Sequence, residues 1–467
     1  MYIPLLAENF NILQIYSIWG VTYMNKLGYS QVFIVTFFSF GGFIGGYLLC
    51  VINGAAPFLV NDFNLDTYKI STIMGLILFG GLIAKVILLF QDYFGRKKLI
   101  YVNLLLFIAG IIVFTSAHSY TMLYWGRLLQ GAAAIMSTVV FTVYLSEIAP
   151  SNRRGIMIVF FQLSWTAGMF IANIVNMSFV ESGNWQMMFN VVIFIPIIML
   201  IFTPFLPRSP RWLVLKGRFV EAKVIIENIN SKMDSYSLDV EIRGIMTGSE
   251  VRWLDSFKLI FKYKKAILLA IVILALTQLC GVNAIMQTST IVLKDCGIKS
   301  TFMAIFGTVL ISGFNFVMTI GTMLLVDKLG RKKILKIGLY GFTISMFALA
   351  VILGVMPKTE VTGWLALIFM LIGIGFLAFG PCGVVYVLIA EVLPTSIRTV
   401  GIIIGGIVSI IVGTIFVSKF LIIGHAFGFS VLFGMMGVFA LIYLLFSIFT
   451  LPETGGKSLE EIESEIK

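Results

Sequence analysis

Charged residues are scarce in this chain of 467 residues, at 12%, whereas hydrophobic residues make up 59%. The mean hydropathy is +1.02. A chain of this length cannot enclose so much apolar surface in ordinary soluble cores, which excludes the usual soluble enzyme or binding module. The sequence therefore predicts a membrane protein whose solvent is the bilayer.

Cysteine is also rare, with four residues in the whole chain, and there are two histidines. The cysteines form no CxxC pair and no dense framework, so the sequence predicts buried thiols rather than a set of extracellular disulfides. Neither a metal-ligand set, a phosphate-cradling loop nor a His/Asp/Ser set occurs at a common span end. We therefore expect no cofactor, no metal and no enzymatic activity.

Twelve stretches are long and apolar enough to cross a bilayer as helices, which takes about 20 residues each. They are predicted at 32–53, 69–91, 99–117, 121–146, 155–180, 187–206, 266–293, 302–326, 334–356, 364–391, 398–420 and 427–450. The predicted fold is an all-α membrane protein with twelve transmembrane helices in two pseudo-symmetric six-helix bundles and a cytoplasmic helical linker. The predicted parts are an N-terminal bundle at 1–206, the linker at 207–265, a C-terminal bundle at 266–451 and a cytoplasmic tail at 452–467.

The basic residues predict the orientation of the chain. Of 33 Lys and Arg, 26 lie in or next to the predicted cytoplasmic segments, five lie at or near the outer side and two lie within spans. The positive-inside rule then places both termini in the cytoplasm, in a multi-pass protein that we expect in the plasma membrane. Basic loops facing anionic lipid account for the net charge of +11 without a nucleic-acid partner. We expect a functional monomer.

One loop occurs twice in the chain. The segment DYFGRKK at 92–98 returns as DKLGRKK at 327–333, and each copy lies between two apolar stretches. A repeated loop between apolar segments indicates two related halves, which is typical of transporters.

Further motifs accompany this repeat in a fixed order. They are GR at 126–127, YLSEIAP at 144–150 with RRG at 153–155, PRSPRWL at 207–213, QLCGVNA at 278–284, GP at 380–381, EVLP at 391–394 with Arg398, and PETGG at 452–456. Together they resemble the sugar porter family of the major facilitator superfamily over nearly the whole chain. The resemblance implies alternating access around a monosaccharide site between the halves, near the bilayer midplane.

Amide side chains inside the predicted spans are the first candidates for this site. A neutral sugar presents hydroxyls that donate and accept hydrogen bonds, and amides do both. The candidates are Gln162, Gln278, Asn283 and Asn315, to which the resemblance adds Thr277 and Tyr386, where the family usually has Gln and Trp. Gln278 and Asn283 are five residues apart, on adjoining flanks of a helix. The alternative is that such amides only bond neighbouring helices, at about 1 kcal/mol each.

Charged residues occupy matching helix ends in the two halves. They are Asp92, Arg96, Glu147, Arg153 and Arg154 in the first half, and Asp327, Arg331, Glu391 and Arg398 in the second. Such groups can pair when the inner side is closed and separate when it opens, and the resemblance supports this gating role. The alternative is that they only fix orientation and loop turns, with Gly95 and Gly330 free to adopt left-handed backbone.

The energy source depends on one position in the first span. Proton-coupled members of the family carry Asp where this chain has Leu48, and no Asp or Glu occurs in the interior of a predicted span. We therefore favour facilitative uniport of a hexose such as glucose. Proton-coupled sugar symport is the alternative, and a non-transporting sugar sensor is a further one, which the short tail disfavours. Without that Asp, the intramembrane charge Arg127 needs another partner, for which Tyr47, Asn53 and helix carbonyls are candidates.

Overall fold

The computed structural model describes residues 31–88, 91–148, 154–229, 263–394 and 397–451. In these residues, twelve helical segments are long and apolar enough to cross a membrane, which confirms the predicted all-α fold with twelve spans. We number the spans 1 to 12 in chain order. The boundaries at 206, 265 and 451 between the halves, linker and tail stay predictions.

The first half contributes spans 1 to 6. Spans 1 to 5 are Gln31–Phe63, Thr67–Leu88, Arg96–Thr115, Tyr120–Ile148 and Arg154–Ser178, and span 6 consists of Trp185–Asn190, Phe194–Phe202 and a 3-10 turn at Thr203–Phe205. A short helix, Gln91–Phe94, precedes span 3. Two others, Pro210–Leu215 and Phe219–Ile229, follow span 6.

The second half contributes spans 7 to 12. Span 7 consists of Lys264–Leu279 (7a) and Val282–Asp295 (7b), and span 10 of Glu360–Phe379 (10a) and Pro381–Val392 (10b). Spans 8, 9, 11 and 12 are Thr301–Leu329, Arg331–Val355, Arg398–Phe427 and Phe429–Phe449.

Spans 7 and 10 are each broken, whereas the sequence predicted uninterrupted stretches at 266–293 and 364–391. In span 7, Gly281 has a φ of +77°, a left-handed conformation that glycine adopts without a Cβ clash. In span 10, Gly380 precedes Pro381, which takes the first position of 10b because its missing N–H is not needed there. Both breaks follow from local residue types and lie in the middle of the membrane segments.

Glycines allow close approach of spans 1 and 5. A Cβ on Gly46 would lie 1.9 Å from the carbonyl oxygen of Trp165, and one on Gly168 would lie 2.1 Å from that of Phe43. Small residues at helix crossings are the usual means of packing membrane helices tightly. The two halves meet along spans 2 and 11, along spans 5 and 8, and where span 1 contacts 7b.

Span 1 begins and span 12 ends on the same side of the bundle, which we call the inner side, following the predicted orientation; the opposite side is the outer side. Within the predicted linker at 207–265, the structure contains the helix Phe219–Ile229, and residues 230–262 lie outside the described residues. Of the four cysteines, which were predicted to be buried thiols, Cys50, Cys280 and Cys296 are buried and Cys382 is half-buried.

Candidate functional site

Gln278 and Asn283 meet at the break in span 7. The Asn283 amide donates from Nδ2 to Gln278 Oε1 at 3.0 Å, and Gln278 donates from Nε2 to Ser409 Oγ of span 11 at 3.1 Å. The predicted single helix would place the two amides on adjoining flanks, but the turn at Gly281 brings them into direct contact. Because an amide has two N–H donors and an oxygen with two lone pairs, these bonds leave capacity for a ligand.

A glycine of span 11 leaves room beside this amide pair. A Cβ on Gly413 would lie 2.9 Å from Gln278 Oε1. A larger residue would therefore press on the amide. The glycine lets span 11 approach Gln278 closely while Ser409, one turn earlier, bonds to it.

Asn315 of span 8 offers an unused acceptor. Its side chain is 4% exposed, and its Oδ1 has no hydrogen-bond partner among the described residues. A buried acceptor without a partner costs free energy, which a ligand hydroxyl can recover. Asn315 is thus suited to a polar ligand in a way that a fully bonded helix-packing amide is not.

Gln162 and Tyr386 are exposed and are not bonded to the amide pair. Gln162 shares a face of span 5 with Asn173, three turns closer to the outer side. Asn173 is 1% exposed and accepts a bond from Thr308 of span 8 at 3.3 Å, whereas Gln162 is exposed. The Tyr386 side chain on 10b is 66% exposed. The face of span 5 that meets the second half is therefore covered on the outer side and open nearer the inner side.

Thr277 lies apart from the other predicted sugar-binding residues. Its side chain is 6% exposed, and its hydroxyl lies 2.8 Å from the Ile273 carbonyl oxygen and 3.3 Å from the Tyr443 hydroxyl of span 12. It therefore packs within the second half, while Gln278, the next residue, points to span 11.

The outer side is joined by hydrogen bonds between span 1 and 7b. Asn53 is 1% exposed; it donates from Nδ2 to Ser289 Oγ at 2.8 Å and accepts at Oδ1 from the Thr290 N–H at 2.9 Å. Nearer the surface, His425 of span 11 contacts Thr67 of span 2 at 3.1 Å. These bonds link the two halves on the outer side, so the site is closed to that side.

Arg127 is fully buried and is bonded to uncharged oxygens. Its guanidinium donates to the carbonyls of Leu48 and Leu49, at 2.6 and 3.4 Å, and to the side-chain oxygens of Gln130 and Gln287, at 3.0 and 3.1 Å. The sequence left three candidate partners for Arg127, which were Tyr47, Asn53 and helix carbonyls. The structure shows helix carbonyls, those of Leu48 and Leu49. Tyr47 bonds to Met188 and Asn53 to 7b instead.

Among the described side chains, the predicted gating residues include an ion pair in each half. Arg96 Nη2 lies 2.6 Å from Glu147 Oε1, and Arg331 Nε lies 3.4 Å from Glu391 Oε1. Arg398 donates from Nε to the Leu393 carbonyl at 3.3 Å. Four other predicted gating residues cannot be placed in these pairs. Arg153 lies outside the described residues, and so do the side chains of Asp92, Arg154 and Asp327. The pairs described here each join two helix ends of the same half, so a role in gating stays a prediction.

A separate cleft of about 690 Å³ lies between the inner parts of spans 1 and 5. Its walls are mostly apolar and include Val35, Phe40 and Phe160. None of the predicted sugar-binding residues lines it. Because amides are missing from this lining, the junction at Gln278 and Asn283 is the better candidate for a sugar.

Three residues of these sites were missed from the sequence. Ser409 and Gln287 are ordinary polar residues inside apolar stretches, and only the three-dimensional contacts reveal their partners. Ser209 carried a usable signal, since Ser followed by Pro is typical of a helix N-terminus. Its hydroxyl caps Pro210–Leu215 and also bonds Glu147 at 2.6 Å.

Two six-helix halves around a polar junction that is closed on one side form the architecture of a major facilitator transporter. The family model described as "Sugar (and other) transporter" matches residues 34–466. The chain therefore belongs to the sugar porter family of the major facilitator superfamily, and it is a membrane transporter and not an enzyme.

Individual relatives match over the same length. The chain is 31% identical over 444 residues to the probable metabolite transport protein CsbC of Bacillus subtilis, covering 94% of this chain and 95% of that protein. It is 28% identical over 440 residues to the galactose-proton symporter of Escherichia coli (strain K12), with coverage of 94% and 95%. The structure of the proton:xylose symporter XylE bound to 6-bromo-6-deoxy-D-glucose matches with a TM-score of 0.74, at 23% identity, over 93% of this chain and 98% of that one. This last likeness concerns the fold.

Proposed function

We propose that this sugar transporter carries a monosaccharide, with a hexose such as glucose as the expected substrate, by alternating access and down the gradient of the sugar alone. The observation that carries the uniport assignment is the environment of Arg127. Its guanidinium is held by carbonyl and amide oxygens, beginning with the backbone of Leu48, at the position where proton-coupled members of the family carry a carboxylate. A proton-coupled cycle needs a group that gains and loses a proton in the membrane, and these partners do not titrate.

The amide junction supports a sugar as the substrate. Gln278, Asn283 and Ser409 form a connected polar surface, and Asn315 adds a buried acceptor without a partner. Sugar hydroxyls can donate to the oxygens and accept from the N–H groups of such a set. Gln162 and Tyr386 complete the proposed site as the residues exposed toward the inner side, with Tyr386 offering an aromatic face for the ring.

Substitution of the amides tests the proposed site. We expect Gln162→Ala, Gln278→Ala and Asn283→Ala each to slow sugar uptake by purified protein in liposomes, without loss of expression. Thr277→Val is the matched control, since Thr277 faces Tyr443 rather than the junction. Uptake at the unsubstituted rate in all three alanine variants would contradict the site. A panel of labelled hexoses and pentoses in the same assay identifies the sugar.

Proton-coupled symport is the second candidate, and the relative named a galactose-proton symporter favours it. Sugar counterflow in proteoliposomes, with the same pH on both sides, separates the two. For a uniporter we expect counterflow under these conditions and no uphill accumulation when a pH gradient is imposed. Accumulation of sugar against its gradient, driven by protons, would overturn the uniport proposal.

Several further properties belong to the same proposal. We propose a plasma-membrane location with both termini in the cytoplasm, because the basic loops lie on the inner side. We also propose division at residues 206 and 265 into two bundles and a linker, function as a monomer and no nucleic-acid partner. Protease or labelling access to the termini in sealed cells tests the orientation.

A further inference from the structure

Gln287, on 7b of the second half, accepts a hydrogen bond from the buried guanidinium of Arg127. Arg127, in span 4, has no exposed surface, and its hydrogen bonds reach Leu48, Leu49, Gln130 and Gln287. Of these four acceptors, three belong to the first half. The bond from Arg127 Nη2 to Gln287 Oε1, at 3.1 Å, crosses to 7b in the second half.

This bond opposes separation of the halves. Gln287 has no exposed surface, so both groups lie away from water. A hydrogen bond from a charged donor is roughly twice as strong as one between neutral groups, and a buried charge that loses a partner is costly. Moving 7b away from span 4 would remove one acceptor from a guanidinium that keeps its charge.

The same short helix also carries the proposed site. Asn283 and Gln287 lie one turn apart on 7b, and Gln287 donates from Nε2 to the Asn283 backbone oxygen at 3.3 Å. Farther along 7b, Ser289 and Thr290 bond to Asn53 of span 1. A displacement of 7b therefore changes the position of Asn283 and the bond to Arg127 together.

We propose that Gln287 is a positioning residue, and that its bond to Arg127 is an outer latch that holds 7b against the first half when the outer side is closed. Opening to the outer side breaks the latch, and closing over a sugar at Asn283 re-forms it. The link to sugar rests on the proposed function; the latch itself does not, because it acts on the empty protein as well.

Access to a reporter cysteine from the outer side tests the latch without any sugar. Thr308→Cys places the reporter on span 8, where residue 308 is 1% exposed and contacts Asn173 of the first half. In sealed vesicles with the outer side outward, a membrane-impermeant maleimide labels this cysteine only when the outer side opens. The same protein without the reporter corrects for the native cysteines.

The substitutions at position 287 should shift labelling in opposite directions. Gln287→Leu removes the acceptor, so we expect labelling faster by on the order of tenfold. Gln287→Glu replaces the amide with a charged partner for Arg127, so we expect labelling slower than in the parent. Thr288→Val is the matched control with the parent's rate, because the Thr288 hydroxyl bonds Ala284 within 7b.

These outcomes decide the latch and the transport proposal separately. Labelling of Gln287→Leu at the parent's rate, or equal acceleration by Thr288→Val, overturns the latch. General loosening of the fold cannot explain faster labelling in one variant and slower labelling in the other. If labelling follows the expected pattern but purified protein carries no monosaccharide, the proposed function falls and the latch stands. If transport is present and labelling is unchanged, the latch falls alone.

Discussion

The inner ends of the two halves carry the same ion pair in two different settings. In the first half, the side chains of Arg96 and Glu147 are each 5% exposed, and two bonds of 2.6 and 3.0 Å join Nη2 and Nε to the carboxylate. In the second half, Arg331 and Glu391 are 20% and 22% exposed, and Arg331 Nε lies 3.4 Å from Glu391 Oε1. The repeated loop supplies the arginine of each pair, and the segments YLSEIAP and EVLP supply the glutamates. The first pair is shorter and better shielded from water.

The segment after span 6 accounts for the difference. Ser209 donates to Glu147 Oε2 at 2.6 Å and accepts from the Trp212 N–H at 3.1 Å, so it joins the pair to the helix Pro210–Leu215. In the second half, Glu391 Oε2 accepts no hydrogen bond from the described residues. The matching helix ends supply the charges in both halves, and the segment after span 6 supplies the extra hydrogen bond to the first pair.

This asymmetry has a consequence for alternating access. A pair open to water is cheap to break, whereas a buried pair that loses one partner leaves an uncompensated charge. We therefore expect the inner end of the first half to move as one unit. The Arg331–Glu391 pair is the one that we expect to rearrange during transport.

Of the substitutions that test the difference between the two ion pairs, Glu147→Gln should have the largest effect on stability. The change removes the carboxylate that Arg96 contacts at 2.6 Å, where both side chains are nearly buried, so we expect a loss of about 3 kcal/mol in the free energy of unfolding. The matched change Glu391→Gln, at the better hydrated pair, should cost at most about 1 kcal/mol. Denaturant unfolding of both variants in detergent measures the two losses. Equal losses would show that the difference in burial has no energetic weight.

Ser209→Ala should make the ion pair of the first half resemble that of the second. It removes the helix cap and the bond to Glu147, for which we expect a loss of about 1–2 kcal/mol in the same unfolding assay. When Glu147→Gln is added to Ser209→Ala, it should lower the free energy of unfolding by less than it does alone, because the ion pair has already lost the bond from Ser209. Ser300→Ala is the control, since Ser300 caps span 8 by accepting from the Met303 N–H. If Ser209→Ala lowers the free energy of unfolding no more than Ser300→Ala does, the bond from Ser209 to Glu147 does not explain the difference between the two ion pairs.

Most of the fold could be predicted from the sequence, because length and apolar composition determine which segments cross a bilayer. All twelve spans were found in this way. The breaks at Gly281 and Gly380 were missed, although Gly380-Pro381 is a usual helix boundary. Apolar composition hides such breaks, since both sides of the break are equally hydrophobic.

The candidate site could be predicted only in part. Residue type identified Gln278 and Asn283, but their contact depends on the turn between them, and Ser409 comes from a distant span. The partner of Arg127 on 7b likewise depends on how the halves meet. Hydrophobic periodicity describes which face of a helix is buried, but it does not say which polar groups face each other across a junction between halves.

Substitution of a lysine in each repeated loop should have the smallest effect on the free energy of unfolding. The effect should be similar in the two halves. Lys97 donates to the carbonyls of Pro204 and Leu206, at 2.7 and 2.8 Å, at the end of span 6. Lys332 does the same at the end of span 12, where it donates to the carbonyls of Ile448, at 3.3 Å, and of Leu451.

Each lysine therefore satisfies carbonyls at the end of the last span of its half, as a cation at a helix C-terminus commonly does. We expect Lys97→Met and Lys332→Met each to lower the free energy of unfolding by about 0.5 kcal/mol, since methionine keeps the apolar stem and loses the charge. Similar losses would show that the asymmetry is confined to the ion pairs. A loss several times larger for Lys97→Met would instead extend the tighter packing of the first half to its whole inner end.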